Sequence, residues 1–303
     1  MGGDADRVRL ERDGWLVELM PALGGSVVGC RWQHPLGSSF NLLRPASATA
    51  LARAGVNAVS CFPLTPFSNR LRNGRCSFRG REIVMPRNTP RPHVEHGHGW
   101  QRPWAVTAAA RDTATLTYRH EPDGWPFAYE MRQIFRLDGN AFAIELQTRN
   151  CGPDPMPYGF GLHPYFPFTP GCRLTARVVG MWETDAEVMP TRLVALPARL
   201  TLPTGCAVAG TNLDNGFTGW DGRALIDWPE WNTRLTMEAT APLRFLVIYT
   251  PAGDGHFCVE PVSNCTDAFN LASQGRTDTG MLVLEPGQEI AARVTFAPSV
   301  LAR

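Results

Sequence analysis

The segment Tyr129–Arg149, YEMRQIFRLDGNAFAIELQTR, contains two alternating runs separated by a turn. Tyr129–Leu137 and Phe142–Arg149 alternate apolar and polar residues with a period of two, the period of a half-buried strand. Asp138, Gly139 and Asn140 between them are turn-forming residues. The segment therefore predicts two antiparallel strands.

The same pattern recurs along the chain at turn-length spacing, with boundaries at Gly, Pro, Asp and Asn. The further predicted strands are Trp15–Leu19, Ser26–Trp32, Trp104–Ala109, Ala114–His120, Leu174–Gly180, Leu235–Thr240, Phe245–Thr250 and Ile290–Ala297. Short helices are predicted only around Ala46–Ala54 and Asn270–Gln274. The sequence shows no repeat of fixed period, which argues against a propeller or a solenoid. We expect an all-β fold, a large antiparallel sandwich with few short helices.

Composition favours one large domain. The 29 glycines and 26 prolines of the 303 residues are spread without a linker-like concentration. Large β-sandwiches often reach this length as one domain, so residues 1–303 are predicted to form a single one. A hydrophobic content of 44% is sufficient for a sizeable core.

Charge and residue usage exclude several classes of protein. The net charge is +1 and no basic run suits a phosphate backbone, which argues against nucleic acid as a partner. No apolar stretch approaches the roughly 20 residues of a membrane span, and we expect a cytoplasmic protein. All 29 Lys+Arg residues are arginine, which excludes Schiff-base chemistry on lysine and the lysine of phosphate-binding loops. The eight cysteines include no C-x-x-C pair and are expected to stay reduced.

Two segments, Tyr158–Phe166 and Phe257–Pro261, each place one titratable side chain among aromatic, glycine and proline residues. Pro164 biases His163 towards extended geometry. Glu260 follows an apolar strand, and since a lone buried carboxylate is too costly, it lies at a rim or beside a partner. The two side chains are candidates for a general acid and a general base, although His163 also fits a hydrogen-bonded histidine of a β core.

Two further positions offer polar groups. Arg70 precedes the Asn73-Gly74 turn and either lies on the surface or points inward as a fork of donors for hydroxyl groups. Asp214 belongs to a segment, Asn212–Gly222, that is a loop by composition, where an aspartate commonly caps local amides.

His96 and His98 are spaced i, i+2, which on a strand would place them on one face. A metal centre would need a third and usually a fourth protein ligand nearby, and Gln101 and Arg102 stand where a further acid would be expected. The alternative is hydrogen bonding to a polar ligand, with Trp100 offering an apolar face to the C–H groups of a sugar. We therefore predict no metal.

Taken together, these positions resemble a known family, the aldose 1-epimerase (galactose mutarotase-like) proteins. The resemblance extends from about Trp15 to Ala297, and its most specific parts are Gly161–Phe166 (GLHPYF) and Val259–Pro261 (VEP). The segments that carry it are, in order, Asn69-Arg70, His96-Gly97 with Pro103-Trp104, Gly161–Phe166, Asp214 with Phe217, and Cys258–Pro261.

The resemblance implies one β-supersandwich domain that interconverts the α and β anomers of an aldose without a cofactor. By position, Glu260 matches the general base and His163 the general acid, while Arg70, His96 and Asp214 match sugar-binding residues. We add His98 and Trp100 as sugar-binding candidates. His98 departs from the galactose mutarotases proper, which have a glycine-rich stretch here, and brings the segment closer to the bacterial branch that includes hexose-6-phosphate epimerases.

Mutarotation requires a base for the anomeric proton and an acid for the ring oxygen. A carboxylate of ordinary pKa and a histidine meet this need at neutral pH. The rivals are a hexose-6-phosphate 1-epimerase, a non-catalytic carbohydrate-binding protein, and a glycoside hydrolase that uses Glu260 with Asp214. The sequence leaves open whether the protein is a monomer or a homodimer.

Overall fold

The computed structural model describes residues 7–301, which form mainly antiparallel strands with two short helices, α1 (Ala48–Ala54) and α2 (Ala268–Ser273). Neither helix has the length and apolar character that a membrane crossing requires. The strands are β1 (Val8–Arg12), β2 (Trp15–Met20), β3 (Ser26–Gln33), β4 (Ser39–Asn41), β5 (Cys61–Leu64), β6 (Arg70–Leu71), β7 (Arg75–Phe78), β8 (Arg81–Val84), β9 (Val94–Glu95), β10 (Ala105–Ala109), β11 (Thr113–His120), β12 (Tyr129–Leu137), β13 (Phe142–Asn150), β14 (Met156–Tyr158), β15 (Gly161–Pro167), β16 (Arg173–Ala176), β17 (Gly180–Thr184), β18 (Pro190–Ala195), β19 (Cys206–Ala207), β20 (Asp214–Thr218), β21 (Arg223–Trp228), β22 (Thr233–Ala239), β23 (Phe245–Tyr249), β24 (His256–Val262), β25 (Leu282–Leu284) and β26 (Glu289–Val300).

Two large sheets contain most of these strands. The first has eleven strands in the order β1-β2-β3-β5-β15-β24-β23-β20-β17-β18, with β4 paired to β3. The second has nine strands in the order β10-β11-β12-β13-β26-β22-β21-β16-β19. Three two-stranded ribbons accompany them. The predicted all-β sandwich is confirmed.

The main core lies between the two large sheets. Phe166 of β15 contacts Phe296 of β26, with ring centroids 6.4 Å apart, and Trp15 of β2 contacts Phe142 of β13 at the same separation. All four side chains are fully buried or nearly so. Because alternate residues of a strand point to opposite faces, the other face of the eleven-stranded sheet is free to carry a site.

The strands predicted from Tyr129–Arg149 are present as β12 and β13, which pair from Leu137 opposite Phe142 to Tyr129 opposite Asn150. Asp138 accepts hydrogen bonds from the backbone of Asn140 and Ala141 and so closes the turn. The two predicted helices are also confirmed, with α1 beginning after Ser47, whose hydroxyl accepts from the amide of Ala50.

Two local predictions were wrong. The predicted strand Leu174–Gly180 is two strands, since the chain leaves the nine-stranded sheet after Ala176 and enters the other sheet at Gly180. The residues of the crossing itself, Arg177, Val178 and Val179, include no glycine or proline. Asp214 begins strand β20 rather than lying in a loop, because pairing with β23 and β17 outweighs the turn-forming composition of the segment.

We predict that Phe166→Ala lowers the free energy of unfolding by about 3–5 kcal/mol, because it opens a cavity between the two sheets. Urea denaturation followed by circular dichroism measures the change. Leu36→Ala is the matched control, since Leu36 is 73% exposed, and it should change stability by about 0.5 kcal/mol or less. Equal losses in both variants would contradict the placement of Phe166 in the core.

Candidate functional site

Strands β15 and β24 are neighbours near the middle of the eleven-stranded sheet, and their pairing brings His163 and Glu260 together. Tyr165 lies opposite Cys258 in this antiparallel pair. Alternation then places His163, Tyr165, Cys258 and Glu260 on the face that points away from the second sheet. The tertiary structure thus joins the two titratable residues that the sequence analysis selected.

A cavity of about 870 Å³ opens above this face. Among the residues that line it are His163, Glu260, Arg70, His96 and Asp214. Trp100 also forms part of its wall. Six of the seven site residues predicted from the sequence therefore surround one cavity.

His163 and Glu260 form a buried pair at the base of the cavity. Nε2 of His163 lies 3.3 Å from Oε1 of Glu260, and their side chains are 9% and 3% exposed. Burial lowers the pKa of His163 well below its ordinary value, and the nearby His96 and Arg44 lower it further. Burial also raises the pKa of Glu260 well above its ordinary value, helped by the charge of Asp214. The carboxyl of ordinary pKa expected from the sequence is therefore absent, and both shifts favour the uncharged form of the side chain.

His163 is packed among aromatic rings. Phe62 lies opposite it on β5, with ring centroids 4.6 Å apart, and Tyr165 stacks on it at 4.6 Å. The centroids of Phe62 and Tyr165 are themselves 6.2 Å apart, so the three rings form a cluster. Trp100 stacks on Phe62 at 5.1 Å, and the guanidinium of Arg44 lies 3.7 Å from the centre of the Tyr165 ring. These contacts restrict the orientation of the imidazole.

His96 presents one ring nitrogen to the cavity. Its Nδ1 accepts a hydrogen bond of 3.2 Å from the backbone amide of Asn69, and its own amide donates to the carbonyl of Asn69. Because Nδ1 is an acceptor, the neutral ring carries its hydrogen on Nε2. Burial lowers the pKa of His96 to about 3, and Arg70 and Arg91 also lower it. His96 is therefore a neutral hydrogen-bond donor.

Arg70 is held in place by acids on two sides. Its Nε lies 3.3 Å from Oε1 of Glu95, and its Nη2 lies 3.6 Å from Oδ2 of Asp214. Nη1 donates to the side-chain oxygen of Asn69. Burial raises the pKa of Asp214, and the charge of Arg70 opposes this shift. The buried arginine thus points inward, the second of the two placements that the sequence left open.

His98 lies away from the cavity, so the expectation that it shares a face with His96 was wrong. Its Nε2 is hydrogen-bonded to the hydroxyl of Tyr129 at 2.8 Å, and its ring stacks on His120 at 4.2 Å. The alternation fails because His96 and Gly97 both have a positive φ, at 57° and 67°. A side chain at Gly97 would also collide with the carbonyl of Thr65.

Sequence reasoning missed Arg44, Tyr165 and Glu95, all of which line the cavity. Tyr165 was within reach, because it lies two residues after His163 on the same strand. Glu95 lines the cavity because it lies opposite Arg70 in the β6–β9 ribbon. This pairing joins segments distant in sequence and could not be predicted from either one. Arg44 has no sequence signal, since only the fold brings it over Tyr165.

His163, Glu260 and the neighbouring Cys258 are potential metal ligands. In residues 7–301, one group of three such side chains has ligand atoms all within 4.8 Å of one another, and it comprises His163, Cys258 and Glu260. His96 and His98 do not belong to it. Burial raises the pKa of the Cys258 thiol well above its ordinary value, which opposes a role as a nucleophile.

The two-sheet sandwich is the fold of the galactose mutarotase-like proteins. A crystal structure of a galactose mutarotase-like protein from Clostridium acetobutylicum superposes with a TM-score of 0.83 at 18% identity, over 96% of this chain and 94% of that one. A candidate aldose 1-epimerase from Escherichia coli K12 superposes with a TM-score of 0.86 at 27% identity, over 97% and 99% of the two chains.

The sequence comparisons give the family. Residues 6–297 match the aldose 1-epimerase family. The uncharacterized Escherichia coli K12 protein YphB is 31% identical over 264 residues, which are 84% of this chain and 88% of YphB. The chain belongs to the aldose 1-epimerase family, as the sequence motifs indicated. Membership implies an isomerase-type carbohydrate epimerase with a sugar as substrate.

We predict that His96 stays neutral, with its hydrogen on Nε2, between about pH 5 and pH 8. Its pKa of about 3 lies below the ordinary 6.5, so the unfolded chain binds the proton first. Stability from this group is accordingly lost as the pH falls below 6.5. Nitrogen-15 NMR of labelled histidine, assigned with His96→Gln, measures the tautomer. A titration midpoint near the ordinary value would contradict the assignment.

Proposed function

We propose that this protein is an aldose 1-epimerase (mutarotase) that opens and closes the ring of an aldose by general acid–base catalysis. The observation that carries the proposal is the 3.3 Å contact between His163 and Glu260 at the base of a cavity large enough for a sugar. Glu260 is the proposed base and His163 the proposed acid.

The spacing of the pair suits the reaction. The anomeric hydroxyl oxygen and the ring oxygen of an aldose are bonded to the same carbon, C1, so two catalytic groups that reach them must also be close neighbours. Each group must lie within hydrogen-bond reach of its oxygen. Adjacent strands supply two such groups on one face, Glu260 from β24 and His163 from β15.

The proton count of the pair also suits the reaction. Proton transfer from the Glu260 carboxyl to Nε2 of His163 gives a carboxylate and an imidazolium without changing the net charge. Glu260 then takes the anomeric hydroxyl proton while His163 protonates the ring oxygen, and the C1–O5 bond breaks to give the open aldehyde. Rotation about C1–C2 and closure with the roles reversed yield the other anomer and restore both protons.

The remaining cavity groups are the proposed sugar-binding residues. Arg70 and the Nε2–H of His96 donate to hydroxyl oxygens, and Asp214 accepts from hydroxyl groups. Trp100 donates its indole N–H to the carbonyls of Glu95 and Gly97 and serves as apolar wall. His98 is left out of this set, because its Nε2 bonds to Tyr129.

Epimerization of a 6-phosphorylated hexose is the second candidate, since Arg44 and Arg91 also line the cavity. Anomeric exchange measured by NMR on a panel of free and 6-phosphorylated aldoses separates the two. A glycoside hydrolase is less well supported, because Asp214 is ion-paired with Arg70 rather than free to act beside Glu260. Release of sugar from an aryl glycoside would favour that alternative.

We predict that Glu260→Gln and His163→Asn each lower the turnover number by on the order of 10²-fold or more while sugar binding is kept. Each change removes one proton carrier without removing a hydrogen-bonding side chain. Polarimetry of a freshly dissolved anomer measures the rate.

The matched control is Glu187→Gln, an exposed acid that lines the same cavity. Its turnover should stay within about twofold of the parent protein, as expected for a surface change. Near-normal turnover in Glu260→Gln would remove that residue from the role of base.

We predict opposite consequences for the two histidines of the His96–His98 segment. His96→Ala loses one hydrogen bond to the sugar, about 0.5–1.5 kcal/mol, and weakens sugar binding several-fold. His98→Ala removes the shorter of the two hydrogen bonds of the Tyr129 hydroxyl, which keeps only the one from Thr65, and lowers stability by about 1–3 kcal/mol at unchanged sugar affinity. Sugar titration and urea denaturation of both variants measure these effects. Weaker binding in His98→Ala alone would reverse the assignment.

A further inference from the structure

The proposed reaction leaves Cys258 unused, although its thiol lies beside the catalytic pair. Cys258 and Glu260 are two residues apart on β24 and share a face, and His163 faces them from β15. All three side chains are buried, with Cys258 at 0% exposure and Glu260 at 2%. Three different ligand types therefore converge at one point below the cavity.

The spacing of these atoms approaches that of a tetrahedral metal site. With the usual zinc bond lengths, tetrahedral ligands lie about 3.4 Å apart for nitrogen and oxygen, and about 3.6 Å apart when one is sulfur. The His163–Glu260 contact is already 3.3 Å, and the group as a whole lies within 4.8 Å. A shift of about an ångström in the Cys258 side chain would complete three corners. Oε2 of Glu260 is buried and has no hydrogen-bond partner in residues 7–301.

The chemistry of the donors selects the ion. A thiolate, a carboxylate and a neutral imidazole together balance the charge of a divalent cation, so the filled site would be neutral in its buried surroundings. Thiolate and imidazole favour Zn²⁺ and similar cations, whereas Mg²⁺ and Ca²⁺ prefer an all-oxygen set. His163 and Glu260 both line the cavity, which gives an ion a path to the three ligands.

We propose that His163, Cys258 and Glu260 form an inhibitory site for Zn²⁺ or a similar thiophilic divalent cation. Such an ion occupies both proposed proton carriers and so blocks ring opening. Binding of the ion does not depend on the proposed function. Only the inhibition rests on it. Removal of metal by a chelator leaves the epimerase fully active, and added Zn²⁺ inhibits it in competition with the sugar.

The binding test uses Co²⁺ and Zn²⁺ on the whole protein. Co²⁺ should produce a thiolate-to-cobalt charge-transfer band in the near ultraviolet, and one equivalent of Zn²⁺ should remove it. Calorimetry should show Zn²⁺ binding and no comparable binding of Mg²⁺. The absence of the band would overturn the proposal, because cobalt would then have no sulfur ligand.

Cys258→Ser assigns the band to this cysteine among the eight. The variant should bind Zn²⁺ about 100-fold or more weakly, lose the cobalt band, and keep epimerase activity that Zn²⁺ no longer inhibits. If circular dichroism shows that this variant does not fold, Glu260→Gln serves for the binding measurements with the same expected losses. Unchanged Zn²⁺ affinity in the folded variant would overturn the site.

A different outcome would refute only the proposed function. In that case the metal-free protein has no epimerase activity, yet it still binds Zn²⁺ in a way that depends on Cys258.

Discussion

The antiparallel pairing of β15 with β24 is the constraint on which the site depends. With Gly161 opposite Val262 and Tyr165 opposite Cys258, the register sets His163 directly across from Glu260. A slip of one residue would move one of them to the opposite face, into the core between the sheets. Phe166 and Phe257 prevent that slip, because they alternate with the site residues and are fully buried in the core. The apolar face therefore fixes the register of the polar one.

Burial of the pair has an electrostatic consequence. An isolated charge on either side chain would be costly in these surroundings, and the pKa of Glu260 rises while that of His163 falls. A pair with one shared proton avoids this cost, since it can exchange between neutral and ionic forms at constant net charge. Arg70, farther out, lies between the acids Glu95 and Asp214. The floor of the cavity thus holds a pair whose pKa shifts favour uncharged side chains, and its wall holds an ion-paired cluster.

The sequence predicted much of the fold because alternation and turn residues act locally. Strand β12 was placed to the residue, and both helices were found to within about two residues of their ends. The predictions failed where non-local pairing decides the outcome. The strand at Asp214 forms only because β23 lies beside it, and the crossing after Ala176 depends on the pairing of β16 with β21 and of β17 with β20.

The candidate site was predictable in part for the same reason. His163 and Glu260 could be selected by their neighbours in sequence, whereas the state of their protons could not, because burial and the charges of Asp214 and Arg44 set it. His98 was misplaced because positive φ angles at His96 and Gly97 break the alternation. With those angles the backbone at Gly97 packs closely against the carbonyl of Thr65, which belongs to a distant segment.

By itself the sequence determined an all-β chain of the aldose 1-epimerase family, since periodicity, turn residues and short motifs are properties of neighbouring residues. The tertiary structure alone decided that one cavity gathers Arg44, Glu95 and Tyr165 with the predicted residues, and that Cys258 lies against His163 and Glu260. These are contacts between strands far apart in the chain. Their geometry follows from sheet register and burial, which no local pattern specifies.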